Sequence, residues 1–402
     1  MPTAIRTQHS FLLYLLSISA FLASLTQNIY SPVLPLLRDS FHVSLARVNA
    51  SVSLFMLILA VMQLVLGPLI DSIGARKILL PGLFLTVIGS AGCSLAVRFD
   101  SFLFFRALQA LGTAAVPLIA ATTIGHLFSG HDRGRAMGTY QTLLSFAPAV
   151  APVLGGFIGS RAGYAGIFWL LTGIAAVLFI VHVLYFPSSR SEGEPLPAEA
   201  KPVSTHTSYR TIFGSKIGLT VMLTGFLHFF IYFALLVYLP VLLTDHYGLG
   251  LEWVGLLYLP MAVSTLAGSW LFKKIQHRIG LTALLFWGSL LISGFIVLFA
   301  LTGMASLAGL SAALVLYGIS SGFTLPVHTT LLTGEFPSIR GTALGLYNFI
   351  RYAGMAAGPV VSGYLQVYVH PAPLFGLLGL AFATAVFVLL KWERTGKPVR
   401  ST

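Results

Sequence analysis

Long apolar runs separated by short polar punctuation recur along the whole chain, each close to the roughly 20 apolar residues that a helix needs to cross a bilayer. The pattern predicts twelve such helices, over residues 11–36, 46–69, 78–98, 101–127, 136–160, 165–186, 216–243, 251–272, 281–301, 306–333, 341–368 and 372–391. The first run is too long for a signal-peptide core and no convincing small-residue cleavage site follows it, so it reads as a retained first span. One long polar stretch, PSSRSEGEPLPAEAKPVSTHTSYRTIFGSK, interrupts the series, and its Pro, Ser, Glu and Lys content marks a flexible linker. The fold class is therefore an all-α membrane protein, with six-helix bundles over 1–186 and 216–402 joined by a cytoplasmic linker over 187–215.

Composition agrees with the pattern: 56% of residues are hydrophobic and 8% charged, far below the charge content of a soluble domain. The net charge of +12 invites a nucleic-acid reading, but the basic residues are scattered over short loops and form no stripe. Most of them fall on the side that holds Arg6, Arg76, Lys77, Arg133, Arg135, Lys273, Lys274 and Arg340, which places both termini in the cytoplasm by the inside-positive bias. The plasma membrane is the expected location. The single cysteine, Cys93, lies within the third span and excludes a disulfide framework or a cysteine metal site.

The two halves repeat. RGRAMGTYQTLLSFAPAVAPVLGG from Arg133 aligns without a gap with RGTALGLYNFIRYAGMAAGPVVSG from Arg340, pairing Tyr140 with Tyr347, Pro152 with Pro359 and Gly156 with Gly363. Spans five and eleven are thus equivalent, giving two pseudo-symmetric six-helix bundles. Halves related by an axis along the membrane normal are a transporter design, with substrate held between them near the midplane.

Between spans two and three, GPLIDSIGARKILL carries Gly67, Leu69, Asp71, Gly74, Arg76 and Lys77. This stretch resembles the G-x-L-x-D-R-x-G-R-K loop of the major facilitator superfamily, with Ser72 and Ala75 departing from it. The resemblance implies that Gly67, Asp71, Gly74, Arg76 and Lys77 form a cytoplasmic latch for the outward-facing state, with Asp71 as its anion. FRALQALGTAA resembles the helix-4 motif R-x-x-Q-G-x-G, with Arg106, Gln109 and Gly112 in place and Ala110 replacing a glycine. The stretch from Gly138 resembles the exporters' helix-5 motif, retaining Gly138, Pro152, Gly155 and Gly156 while Ala147 and Ala151 replace glycines. QNIYSPVLPLL at the end of the first span resembles the signature of twelve-span drug:proton antiporters, though Gln27 and Asn28 stand where many relatives carry an acid.

None of the 11 acidic residues falls at the middle of a span, which weakens a carboxylate-based proton cycle. The deep ionisable groups are Arg106, His228, His328 and Arg351. Arg106 either snorkels to the outer surface or, as the resemblance implies, takes part in proton coupling together with Gln109. His228 is either a hydrogen-bonded core histidine or a titrating group. Arg351 replaces Leu144 of the first repeat, and with Tyr347 and Asn348 nearby it either binds an anionic or zwitterionic group or bridges helices. Further cavity candidates are Gln27, Asn28, Tyr30, Phe146, Phe229, Tyr232, Tyr258 and Phe323.

No nucleophile elbow, H-E-x-x-H pair or P-loop occurs, so neither an enzyme nor an ATP-driven pump is indicated. The expectation is a secondary transporter that exports small, partly lipophilic compounds by proton antiport with alternating access. The alternative is a facilitator or importer of an anionic metabolite, and a more distant one is a non-transporting membrane enzyme or sensor. Its partners are a small-molecule substrate, protons and the lipid bilayer; no nucleic acid, cofactor or metal is expected, and the chain is taken as a monomer.

Overall fold

The computed structural model describes residues 3–128, 130–186, 205–276 and 278–394, with side chains at 3–8, 67, 68, 71, 126, 130, 131, 145, 205–208, 393 and 394 outside that description. Helix α1 (Thr3–Asn28) passes through a 3-10 turn, Ser31–Val33, into α2 (Leu34–Phe41). The break falls where Pro32 and Pro35 withdraw backbone donors and restrict the residues before them. Helix α3 (Leu45–Ile73) starts at Ser44, whose hydroxyl accepts from the Arg47 amide, and ends at Gly74 with φ +90°, a value that favours glycine. Then follow α4 (Ala75–Leu95) and α5 (Phe99–Leu127).

Helix α6 (Gly130–Tyr185) is 56 residues long, about twice what a bilayer requires. Gly163 inside it has φ +64° and ψ −175°, so the element is two spans meeting at one glycine. The second half of the chain contains α7 (Thr205–Gly214), α8 (Lys216–Val241) with a π-turn Leu242–His246, α9 (Leu251–Ile275), α10 (Leu281–Thr302), α11 (Leu307–Glu335), α12 (Arg340–Leu365) and α13 (Pro371–Arg394).

Among the described residues, ten stretches are long and apolar enough to cross a membrane, and the stretch Asp132–Tyr185 counts as one of them. Dividing that stretch at Gly163 and adding α12, which Asn348, Arg351 and its tyrosines make more polar, gives twelve transmembrane helices. Helix α7 lies where the sequence predicts only linker. It forms because Tyr209 and Ile212 share a helical face, and both pack with Val221, Leu332, Phe336 and Leu346.

The chain divides into two compact units, Met1–Pro197 with Gly248–Tyr258, and Ala198–Tyr247 with Leu259–Thr402. Inside each unit, small residues let helices approach to backbone contact, as membrane bundles require. In the first, a Cβ at Gly89 of α4 would strike the Gln109 backbone of α5. In the second, one at Gly358 of α12 would meet the Phe230 carbonyl of α8.

Candidate functional site

The first unit encloses Arg106. It sits about two turns into α5 and is 0% exposed, so it does not snorkel. Its guanidinium carbon lies 4.0 Å from the ring centroids of both Tyr30 and Phe55 and 5.7 Å from that of Phe168. One terminal nitrogen donates to Gln109 Oε1 and the other to the Thr26 carbonyl at 3.2 Å. Gln109 Nε2 donates to Ser90 Oγ at 2.7 Å, and Ser90 donates to the Thr86 carbonyl at 2.7 Å. An arginine held out of water within a span is costly, and the ring faces and charge-assisted hydrogen bonds around the Arg106 guanidinium offset that cost. The cation therefore persists without a carboxylate. Among the described residues, Arg106 Nε and the Tyr30 hydroxyl have no hydrogen-bond partner.

The second unit encloses a polar cluster on α8, α11 and α12. His228 Nε2 and Ser321 Oγ share a hydrogen bond of 2.9 Å, and His328 Nε2 and Thr224 Oγ1 one of 3.2 Å; the donor in each depends on the tautomer. The two imidazole centroids are 6.3 Å apart. Tyr347 packs 5.7 Å from His328, and Tyr317 packs edge-on 6.4 Å from His228. The Nδ1 atoms of both histidines and the hydroxyls of Tyr317 and Tyr347 are buried, with no partner among the described residues. Arg351 lies beside the cluster, its guanidinium carbon 5.2 Å from the Phe229 centroid and 5.0 Å from that of Tyr352. Among the described residues there is no group of three or more metal-ligating side chains.

The structure thus joins Arg106, Gln109 and Tyr30 in one site, and joins His228, Phe229, Tyr347 and Arg351 in another. Tyr232 stacks on Tyr317 at 6.2 Å. Asn28 is buried and donates to the Ser24 carbonyl at 2.8 Å, while Gln27 and Asn348 are half-buried. Phe323 packs edge-on against Phe272, Tyr258 is buried in the first unit, and Phe146 is 51% exposed.

In the first turn of α4, Arg76 donates to the carbonyls of Val183 (3.0 Å) and Phe186, and Lys77 is exposed. Gly67 and Asp71 lie in α3, but their side-chain positions are outside the described residues. On α6, a Cβ at Gly155 would strike the Ile29 carbonyl and one at Gly156 the Leu251 carbonyl, whereas Gly138 has nothing within 4 Å. Pro152 packs its carbonyl against Gly255. Sequence reasoning missed Phe55, Phe168, Ser90, Ser321 and Tyr317. Their residue types carry no signal within an apolar helix.

Comparison with known proteins gives one family. The profile described as Major Facilitator Superfamily matches residues 16–359. The uncharacterized MFS-type transporter YceJ of Bacillus subtilis (strain 168) is 26% identical over 368 residues, covering 91% of this chain and 92% of the relative. A chloramphenicol resistance protein of Pseudomonas aeruginosa is 30% identical over 158 residues, covering 39% of this chain and 38% of the relative. A crystal structure of a POT family transporter in complex with a thioalcohol-conjugated peptide shares the fold, with a TM-score of 0.78 at 13% identity over 95% of this chain and 96% of that one. With its buried polar sites carried on twelve membrane helices and the family profile spanning most of its length, this chain belongs to the Major Facilitator Superfamily and is a multi-pass membrane transporter, not an enzyme.

Proposed function

We propose that the protein is a secondary exporter of small, partly lipophilic compounds, a multidrug-type efflux pump that works by proton antiport with alternating access. One observation carries this reading: two buried polar chains, Arg106–Gln109–Ser90 and His228–Ser321 beside His328–Thr224, persist inside otherwise apolar membrane helices. Ionisable groups at that depth are costly and mark ion or substrate pathways. Arg106 and Gln109 serve coupling in the N-terminal bundle, and His228 is the titrating group of the C-terminal one. The loop from Gly67 to Lys77 latches the cytoplasmic side, with Asp71 as its anion. The small-residue face of Gly155 and Gly156, and the relative named for chloramphenicol resistance, support export. The transporter acts as a monomer in the plasma membrane with both termini in the cytoplasm.

The test uses everted vesicles with an acid interior and a pH-sensitive dye. Neutral, acidic and basic aromatic compounds, chloramphenicol included, are added in turn. At least one should discharge the gradient in vesicles that contain the protein and not in vesicles that lack it. If none does, and none accumulates when the gradient is imposed, proton antiport is rejected.

A further inference from the structure

We infer that the transported molecule carries a negative charge, and that Arg351 with Tyr347 recognises it in the second unit. This deepens the export reading and rests on it only for the claim that the ligand is carried across the membrane.

Arg351 lies roughly 16 Å along α12, a helix roughly 39 Å long, so it sits close to mid-span. An arginine offers five N–H donors and no acceptor. Among the described residues Arg351 has no hydrogen-bond or ion-pair partner, and its Nε is buried. The faces of Phe229 and Tyr352 steady the guanidinium but supply no oxygen. One turn earlier on the same helix face, Tyr347 is 2% exposed and its hydroxyl is unpartnered.

The described acids of this unit lie at helix ends. Asp245 is in the turn after α8, and Glu335 at the end of α11 accepts from Ser215 at 2.8 Å. Among the described residues the site therefore presents donors and positive charge with no carboxylate of its own. A carboxylate complements it, taking charge-assisted bonds to its two oxygens. An ammonium group would meet a like charge, which is how a site rejects the wrong ligand.

The first unit sharpens the contrast. Arg106 already has the Gln109 oxygen and the Thr26 carbonyl as acceptors. The repeat position equivalent to Arg351 is Leu144, so the unsatisfied cation belongs to one half only. The half-buried guanidinium stands at the edge of a buried cluster, beside a ring that suits an aromatic or apolar body.

Equilibrium binding to the purified full chain tests this without any gradient. Radiolabelled naphthoate is the probe, competed by unlabelled naphthoate, its neutral amide naphthamide and the cation naphthylmethylamine. The carboxylate should displace the label at about tenfold lower concentration than the amide, the ratio that the difference between a charged and a neutral hydrogen bond gives, and the amine should compete least. Arg351→Gln should bring carboxylate and amide within about twofold, Arg351→Lys should retain part of the preference, and Tyr347→Phe should weaken it while leaving the fold intact. No saturable naphthoate binding overturns the inference, as does equal competition by the amine, or a preference that survives Arg351→Gln and Tyr347→Phe. Failure of gradient-coupled transport would instead strike the export reading and leave this charge preference measurable.

Discussion

Arg76, at the start of α4, donates to the carbonyl of Phe186, the residue that follows the last turn of α6. Its other terminal nitrogen reaches Val183 one turn earlier, at 3.0 Å. A helix leaves its last carbonyls without intrahelical donors, and its C-terminal end favours a cation. Arg76 thus caps the C-terminal end of the sixth span. Replacing Arg76 by Ala should lower stability by about 1 kcal/mol, and Lys, which keeps the charge but not the fork, should recover part of it. Thermal unfolding of the detergent-purified protein reads this directly. An unchanged midpoint in the Ala variant would show that the cap contributes nothing.

Arg106 separates stability from function. Removing a buried charge whose partners are a side-chain amide, a backbone carbonyl and ring faces leaves no uncompensated carboxylate behind. Arg106→Met, a residue of similar length, leaves the Gln109 oxygen and the Thr26 carbonyl short of a donor and should lower stability by about 1–3 kcal/mol, yet its loss of gradient-coupled transport should be far larger than that loss of folded protein explains. Arg106→Lys keeps the charge but not the planar stack or the fork, and should transport at about a tenth of the normal rate. Transport by Arg106→Met at the normal rate would reduce the cage to a packing device.

His228 and His328 each bind one hydroxyl through Nε2 and leave Nδ1 unpartnered. Charged or titratable groups around them are Tyr232 on α8, Tyr317 on α11, and Tyr347 and Arg351 on α12. If His228 carries the coupled proton, His228→Gln preserves a hydrogen bond to Ser321 while removing the titration, and the pH profile of transport should flatten. A profile of unchanged shape would leave His228 with a structural role.

How much of this was legible in the sequence follows from what a bilayer demands. Long apolar runs are obligatory for spanning helices, so the spans stood out, including the eleventh, which its repeat partner revealed despite Arg351. Helix α7 was hidden because Ile212 and Tyr209 sit in a stretch whose composition is that of a linker. Arg106 and His228 were conspicuous as ionisable residues in apolar runs. Their surroundings were not: Phe55 and Phe168 are two among 30 phenylalanines, and a serine in a membrane helix ordinarily bonds to its own helix, as Ser90 also does.

Within the small-residue face of α6, the glycines are not equivalent. A methyl at Gly155 would overlap the Ile29 carbonyl, which no rotamer change relieves, whereas Gly138 has open space around it. Gly155→Ala should cost roughly 1–3 kcal/mol, the usual price of overpacking. Gly138→Ala should be neutral or stabilising by up to about 1 kcal/mol, because alanine is the better helix former. Parallel unfolding curves distinguish the two, and equal effects would contradict the contact at Ile29.

If the substrate is an anion exchanged for a proton, transport carries an electrical signature. One anion leaving in exchange for one entering proton moves two positive charges inward, and each elementary charge gains about 2.3 kcal/mol per 100 mV of membrane potential. Two charges gain about 4.6 kcal/mol per 100 mV. An imposed potassium diffusion potential should therefore drive export of an aromatic carboxylate even with the pH gradient clamped at zero, and Arg351→Gln should slow that export by weakening carboxylate binding. A neutral substrate exchanging for one proton moves half the charge, and its accumulation should respond half as steeply on a logarithmic scale. Carboxylate transport indifferent to potential would mean that charge is balanced within the cycle, and would exclude the one-for-one exchange.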